Sequence, residues 1–261
     1  MPPANAGRRS RAADPAAISF DNRTPVRYTG GVASPLPTVT SLSQLVPARD
    51  RAIEVDPALS PLLPDGGVRR GHVVSCGGVA ARSLALALAA RPVEAGAWLA
   101  VVGLPDLGVE AAVEHGVAPE RVVSIAAGSP AEWAERLAAA ADGFEILLTA
   151  PPPGAERQMR KLRQRLTARG NVLLVVRSGW AGGRPAAPIS SDVDLTTTGA
   201  TWVGIGQGHG RLMARRVTIS SAGRRVPRPV IVQCWLPGPD GRADVVQTGT
   251  GAPVVPLSRA G

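Results

Sequence analysis

The stretch H-V-V-S-C-G-G-V-A-A-R-S-L-A-L-A-L-A-A, His72 to Ala90, decides the fold. It opens on an apolar run without alternation, the mark of a strand buried on both faces. Small residues follow, then an Ala/Leu run of high helix propensity. Downstream the same rhythm recurs. A-W-L-A-V-V-G reads as a second buried strand, and Val109 to Glu114 as a helix leading to a third strand, R-V-V-S-I-A. P-A-E-W-A-E-R-L-A-A-A-A is a helix with proline in its first turn. F-E-I-L-L-T is a fourth strand, Ala155 to Ala168 an amphipathic helix, and N-V-L-L-V-V a fifth strand. Strict alternation with continuously apolar strands predicts an α/β fold, a mostly parallel sheet covered on both faces by helices. Beyond Ser190, T-W-V-G-I, L-M-A-R-R-V-T-I and P-V-I-V-Q-C-W-L predict strands added antiparallel at the C-terminal side, with a short last strand over Ala243 to Val246.

Outside this region the pattern weakens. Residues 1–38 are rich in Pro, Ala, Arg and Ser, and read as a disordered arm. A short capped helix is expected near Ser41. Residues 39–236 form the expected domain, and 237–261 a flexible extension in which A-P-V-V-P-L offers strand addition or extended docking. Two cysteines, Cys76 and Cys234, make neither a disulfide framework nor a thiolate zinc site. His72, His115 and His209 lack metal-ligand spacing and read as surface or packing residues. Apolar runs stay below the ~18 residues of a membrane span, and a secretory signal's apolar stretch is missing near the start. A cytoplasmic setting without membrane or cofactor is expected.

The turn after the first strand is where such a fold would seat a nucleotide. A phosphate loop reads G-x-x-x-x-G-K-[ST] there. Here Cys76 takes the first glycine, Gly77 and Gly78 follow, Ala81 takes the second glycine, Arg82 the lysine, and Ser83 keeps the hydroxyl. Ala81 puts a methyl where backbone must approach phosphate closely, and an Arg fork is not a Lys point charge.

At these residues the chain resembles the RecA recombinase family, over roughly Ser41 to Leu236. G-G-V-R-R-G-H-V-V-S-C-G-G is similar to the turn, first strand and loop entry of that family. Q-M-R-K-L-R-Q-R-L-T-A-R-G-N-V-L-L-V-V is similar to its helix and fifth strand. L-A-L-A-L-A-A, G-A-W-L-A-V-V-G-L-P-D-L-G and W-V-G-I-G-Q-G-H-G-R-L resemble the ImuA branch, nearest its actinobacterial ImuA-prime type. The resemblance implies a RecA-like core and a damage-inducible accessory factor of a mutagenic translesion complex. Its implied partners are an ImuB-like inactive Y-family polymerase homologue and, indirectly, an error-prone DnaE-type polymerase; RecA and weakly bound DNA are further expected partners, with a nucleoid-associated cytoplasmic location.

The departures from that family point to a pseudo-ATPase. Turnover needs a lysine on the β/γ-phosphates, a carboxylate that polarises water and an Asp near Mg²⁺. Gly103-Leu104-Pro105 stands at the glutamate's place with Asp106 the nearest carboxylate, Leu148-Thr149-Ala150 at the aspartate's, and Val176-Arg177-Ser178 at the polar sensor. Of the two DNA-contacting loops of the family, the first is cut here to about Pro151–Gly154 and the second is Ser178–Pro188; the lost length argues against forming a filament alone on DNA. Two other readings stay open: a residual recombinase-type ATPase, and a SulA-like cell-division inhibitor that needs neither nucleotide nor DNA.

The formal net charge of +9 permits a polyanion partner. It is unevenly spread: residues 41–155 sum to −5, 156–169 to +5 and 211–228 to +6. On the helix, Met159, Leu162 and Leu166 make the buried stripe. Arg157, Arg160, Lys161, Arg163, Arg165 and Arg169 share the rest, as a solvated face or as phosphate contacts. Arg211, Arg215, Arg216, Arg224, Arg225 and Arg228 read the same way. At 3% aromatics a base-stacking platform is not expected. Trp180 is a single candidate contact, and Trp98 and Trp133 are core or near-core. The glycines of Gly204 to Leu212 serve a tight turn.

Overall fold

The computed structural model describes residues 52–177, 190–205 and 210–246. The arm, the helix near Ser41, the loop 178–188 with Trp180, His209 and the A-P-V-V-P-L tail lie outside these residues.

Two short strands, β1 (Ala52–Glu54) and β2 (Gly67–Arg69), pair antiparallel on their own. A 3-10 turn at Ser60–Leu62 lies between them. The alternation then runs β3 (Val73–Gly78), α1 (Ala81–Glu94), β4 (Leu99–Val102), α2 (Val109–Glu114), β5 (Val122–Ile125), α3 (Pro130–Gly143), β6 (Ile146–Thr149), α4 (Glu156–Arg169) and β7 (Val172–Val176). Four strands complete the chain: β8 (Val193–Ile205), β9 (Gly210–Ala222), β10 (Val230–Trp235) and β11 (Asp244–Val245). They form one nine-stranded sheet in the order β5-β4-β6-β7-β3-β8-β9-β10-β11. From β5 to β8 every pairing is parallel, and β9, β10 and β11 are added antiparallel. This mixed α/β arrangement is consistent with a RecA-like fold.

The period-two alternation of each strand divides the core in two. Val74, Cys76, Val101, Leu148 and Leu174 pack with α1 and α2. Val73, Ala100, Val102, Leu147, Leu173 and Val175 pack with Trp133 and Leu137 of α3 and with Met159, Leu162 and Leu166 of α4. Helix α1 is buried nearly all round, because Leu59, Leu62, Leu63 and Val68 of the first described segment join its cluster. Helix α3 starts on a capping box between Ser129 and Glu132, with Pro130 in its first turn. Helix α4 ends where Gly170 turns left-handed at φ 75°. Trp133 is fully buried, whereas Trp98 is 43% exposed, with the Arg121 guanidinium 5.9 Å from its ring centre. Trp98, just before the interior strand β4, thus lies in solvent contact instead of the core or near-core position expected for it.

Candidate functional site: a filled loop and a divided basic surface

The turn at the carboxyl end of β3 is closed by the protein's own groups. Strand pairing with β8 persists through Gly78, so only Val79 and Ala80 separate strand from helix. Thr197 on β8 takes the backbone donors a phosphate would use. Its carbonyl accepts from Val79 N–H at 3.2 Å and its hydroxyl from Ala80 N–H at 2.8 Å. The same hydroxyl donates to the Gly77 carbonyl at 2.9 Å. Gly78, at φ 86°, lies so close to the Thr197 carbonyl that a Cβ would clash.

Arginines surround this turn. Arg177, at the sensor position, lies over Gly77, where a Cβ would meet its Nη2 at 2.7 Å. It donates to the Thr196 hydroxyl at 3.0 Å, and its Nε is buried without a partner among the described residues. Arg215, reaching across from β9, donates to the Ser83 hydroxyl at 2.7 Å and to the Leu236 carbonyl at 2.7 Å. Its guanidinium also stacks 4.9 Å from the Trp202 ring centre. Arg82 turns away to the Asp106 carbonyl at 3.3 Å, with the Asp106 carboxylate 3.8 Å off. Ala81 is buried, and burial pushes the thiol of Cys76 up to about 12, so it is an inert core residue. At the end of β6, where the resemblance would set an aspartate, the Thr149 hydroxyl accepts from the Trp133 indole at 2.7 Å and donates to the Val102 carbonyl at 2.8 Å. It is spent on packing.

The basic residues do not form two patches. On α4, Arg157, Arg160 and Lys161 are exposed and form no ion pair among the described residues. Arg165 and Arg169 are tied to Asp142 of α3, at 2.5 and 3.0 Å. Hydrogen bonding from Arg165 holds the Asp142 carboxyl below its usual range. Arg163 bonds the Ser190 carbonyl at 2.6 Å and Asp192 at 2.5 Å. The second run is divided by β9. Arg211 and the half-buried Arg215 and Arg216 lie along the strand, while Arg224, Arg225 and Arg228 lie beyond its far end. At ~3.3 Å per residue, Arg211 and Arg224 are roughly 40 Å apart.

At that far end, near the amino ends of β3 and β8, residues from three segments meet. Arg69, Arg70, Gly71 and His72 precede β3, Arg163 and Thr167 come from α4, and Arg224 and Arg225 from the β9–β10 turn. Asp192 sits among them with its side chain 3% exposed, accepting from the Val73 N–H at 3.0 Å and pairing with Arg163 and Arg224. Burial alone would raise its carboxyl. The Val73 N–H, Arg163, His72 and Arg224 outweigh that and bring it below the ordinary carboxylate value. Counting charge by segment hides this cluster, because it assigns Arg69 and Arg70 to the acidic half. Arg177, read in sequence only as part of the replaced sensor, stands outside both basic runs at the end of an apolar strand.

Fold and site therefore define an α/β protein, consistent with a RecA-like fold, whose turn after β3 is filled by its own side chains. A family model described as the MT3502 N-terminal domain matches residues 61–182, from just before β2 past β7. The chain is similar to that family over this part, and the description names neither an activity nor a ligand. No curated protein matches the chain.

Proposed function

We propose that this chain is a non-catalytic accessory factor in damage-induced translesion DNA synthesis and mutagenesis. It acts by contact with an ImuB-like inactive Y-family polymerase homologue, and through that homologue with an error-prone DnaE-type polymerase. RecA and weakly held DNA are further partners in this reading. The motifs shared with the ImuA branch suggest the pathway. One observation supports the lack of catalysis: Thr197, Arg177 and Arg215 engage the groups that would grip a nucleotide.

Contact with a protein is supported at the end of the β8–β9 hairpin. Beyond Thr197 on β8 and before Arg215 on β9, these strands pair only with each other. Ile205, Leu212 and Met213 are each nearly half exposed there. Apolar side chains on both faces of an unsupported hairpin favour a covering partner.

The test is co-purification of the chain with the ImuB-like homologue and the DnaE-type polymerase, beside the damage-induced mutation frequency of a deletion strain. Association together with lost induced mutagenesis supports the proposal. No association and unchanged mutagenesis overturn it.

A further inference from the structure

We propose that the arginine-lined pocket around Asp192 is a binding site for a phosphate group. The cavity is about 360 Å³ and is lined by Arg69, Arg70, His72, Arg163, Arg224 and Arg225, with Gly71, Thr167 and Asp192. Five guanidiniums thus surround one carboxylate. That carboxylate is already spent, on Arg163, Arg224 and the Val73 N–H. Arg69 leans on Asp65 at 3.1 Å, an exposed pair of little energetic weight. Arg70 and Arg225 pair with no carboxylate among the described residues. Both line the same pocket, whose polar side chains besides the arginines and Asp192 are the Thr167 hydroxyl, which donates to the Gly71 carbonyl, and the His72 imidazole.

The lining decides the ligand class. The volume falls within the ~300–1,000 Å³ of ligand pockets, yet charged groups line it where a neutral ligand would need apolar walls. Guanidinium forks match phosphate oxygens in bidentate geometry. No Phe, Tyr or Trp lines the cavity, so the large rings of a base-stacking platform are missing there. The site recognises phosphate and leaves base identity unread, as backbone contacts do. Asp192 is a positioning residue: it holds Arg163 and Arg224 by ion pairs. His72 has its basicity lowered by burial, with Asp192 and Asp65 opposing and Arg225 and Arg69 reinforcing the effect. A phosphate seated here would raise it.

The inference narrows the proposed DNA contact to one pocket and needs no polymerase partner. Its failure would leave co-purification untouched, and failed co-purification would leave the pocket standing. The test compares the intact chain with Arg70→Gln/Arg225→Gln, and with Arg157→Gln/Arg160→Gln on the open face of α4 as control. One arm titrates a labelled single-stranded oligothymidylate at several salt concentrations. The other titrates inorganic phosphate while the His72 ring protons are followed by NMR. The pocket variant is expected to lose about fivefold or more in oligonucleotide affinity and to flatten the salt slope by about one. The control should change little, and both variants should melt near the parent.

A His72 shift with inorganic phosphate, abolished in the pocket variant, means that one phosphate group suffices. A response to the oligonucleotide alone makes the ligand a nucleic-acid backbone. Either result supports the site. Overturning it takes no binding in either arm, or a loss confined to the α4 variant, or a pocket variant that binds like the parent with the same melting curve.

Discussion

His115 closes helix α2 with its imidazole buried and its Nδ1 without a partner among the described residues. Burial, reinforced by the nearby Arg215, pushes its pKa down to about 4, against 6.5 for the free side chain. Below pH 6.5 the unfolded chain takes up a proton that the folded one refuses. Stability is therefore full above that value, falls as pH drops, and stops falling once the folded state also protonates near pH 4. Two and a half units correspond to roughly 3 kcal/mol. Denaturant melts at pH 7.0, 6.0 and 5.0 should show the decline, and His115→Gln should flatten it between pH 6.5 and 5. An unchanged slope in that variant would assign the decline to carboxylates. At the turn after β3, the Thr197 and Arg215 hydrogen bonds predict that millimolar Mg-ATP leaves the melting temperature unchanged and releases no phosphate, with or without DNA. A stabilisation that disappears in Arg82→Ala would mean that the turn opens to take a nucleotide.

Among the elements, β8 and β9 carry the clearest functional prediction. Their outer halves have no third strand; Arg215 stacks on its cross-strand neighbour Trp202 and ties the hairpin to the body through the Ser83 hydroxyl and the Leu236 carbonyl. Leu212→Glu/Met213→Glu changes side chains that already face solvent, so stability should move by only about 0.5 kcal/mol per site. Capture of the ImuB-like partner should fall at least tenfold in a pull-down. Undiminished capture would move the contact elsewhere. The same elements show where sequence reading succeeds and stops. L-A-V-V and V-L-L-V-V are legible as strands because both faces are buried, and S-P-A-E is legible as a helix start. T-W-V-G-I and L-M-A-R-R-V-T-I are seen only in part. Each belongs to a 13-residue strand; the unread part of β8 is its inner half, where Asp194, Thr196, Thr197 and Thr198 break the apolar pattern although Val193, Leu195 and Thr197 are buried. The three-residue strands β1 and β2 are too short to show any period. The first strand after Ser190 pairs parallel to β3, so antiparallel pairing starts only at β9.

For the molecule as a whole, the question is where its positive charge meets a polyanion. Summed along the chain, the second arginine run looks like one surface of +6. Folding separates its ends along β9, turns Arg215 inward against Ser83, and joins Arg224 and Arg225 to Arg69, Arg70 and Arg163 from other segments. Such a site is illegible in sequence, because its members lie up to 156 residues apart and each stands in an unremarkable local context. The division predicts unequal effects from substitutions of equal charge. Arg211→Gln/Arg216→Gln and Arg224→Gln/Arg225→Gln each remove two positive charges. If total charge governed binding, both would weaken DNA affinity alike and flatten the salt dependence equally. If the pocket end is where DNA sits, only the second pair should do so, by about one unit of slope for each phosphate that is no longer neutralised. The measurement is oligonucleotide affinity at salt concentrations from about 50 to 200 mM for both variants. Equal slopes would mean that DNA tracks the whole length of β9, and a weakening confined to Arg211 and Arg216 would place it at the hairpin.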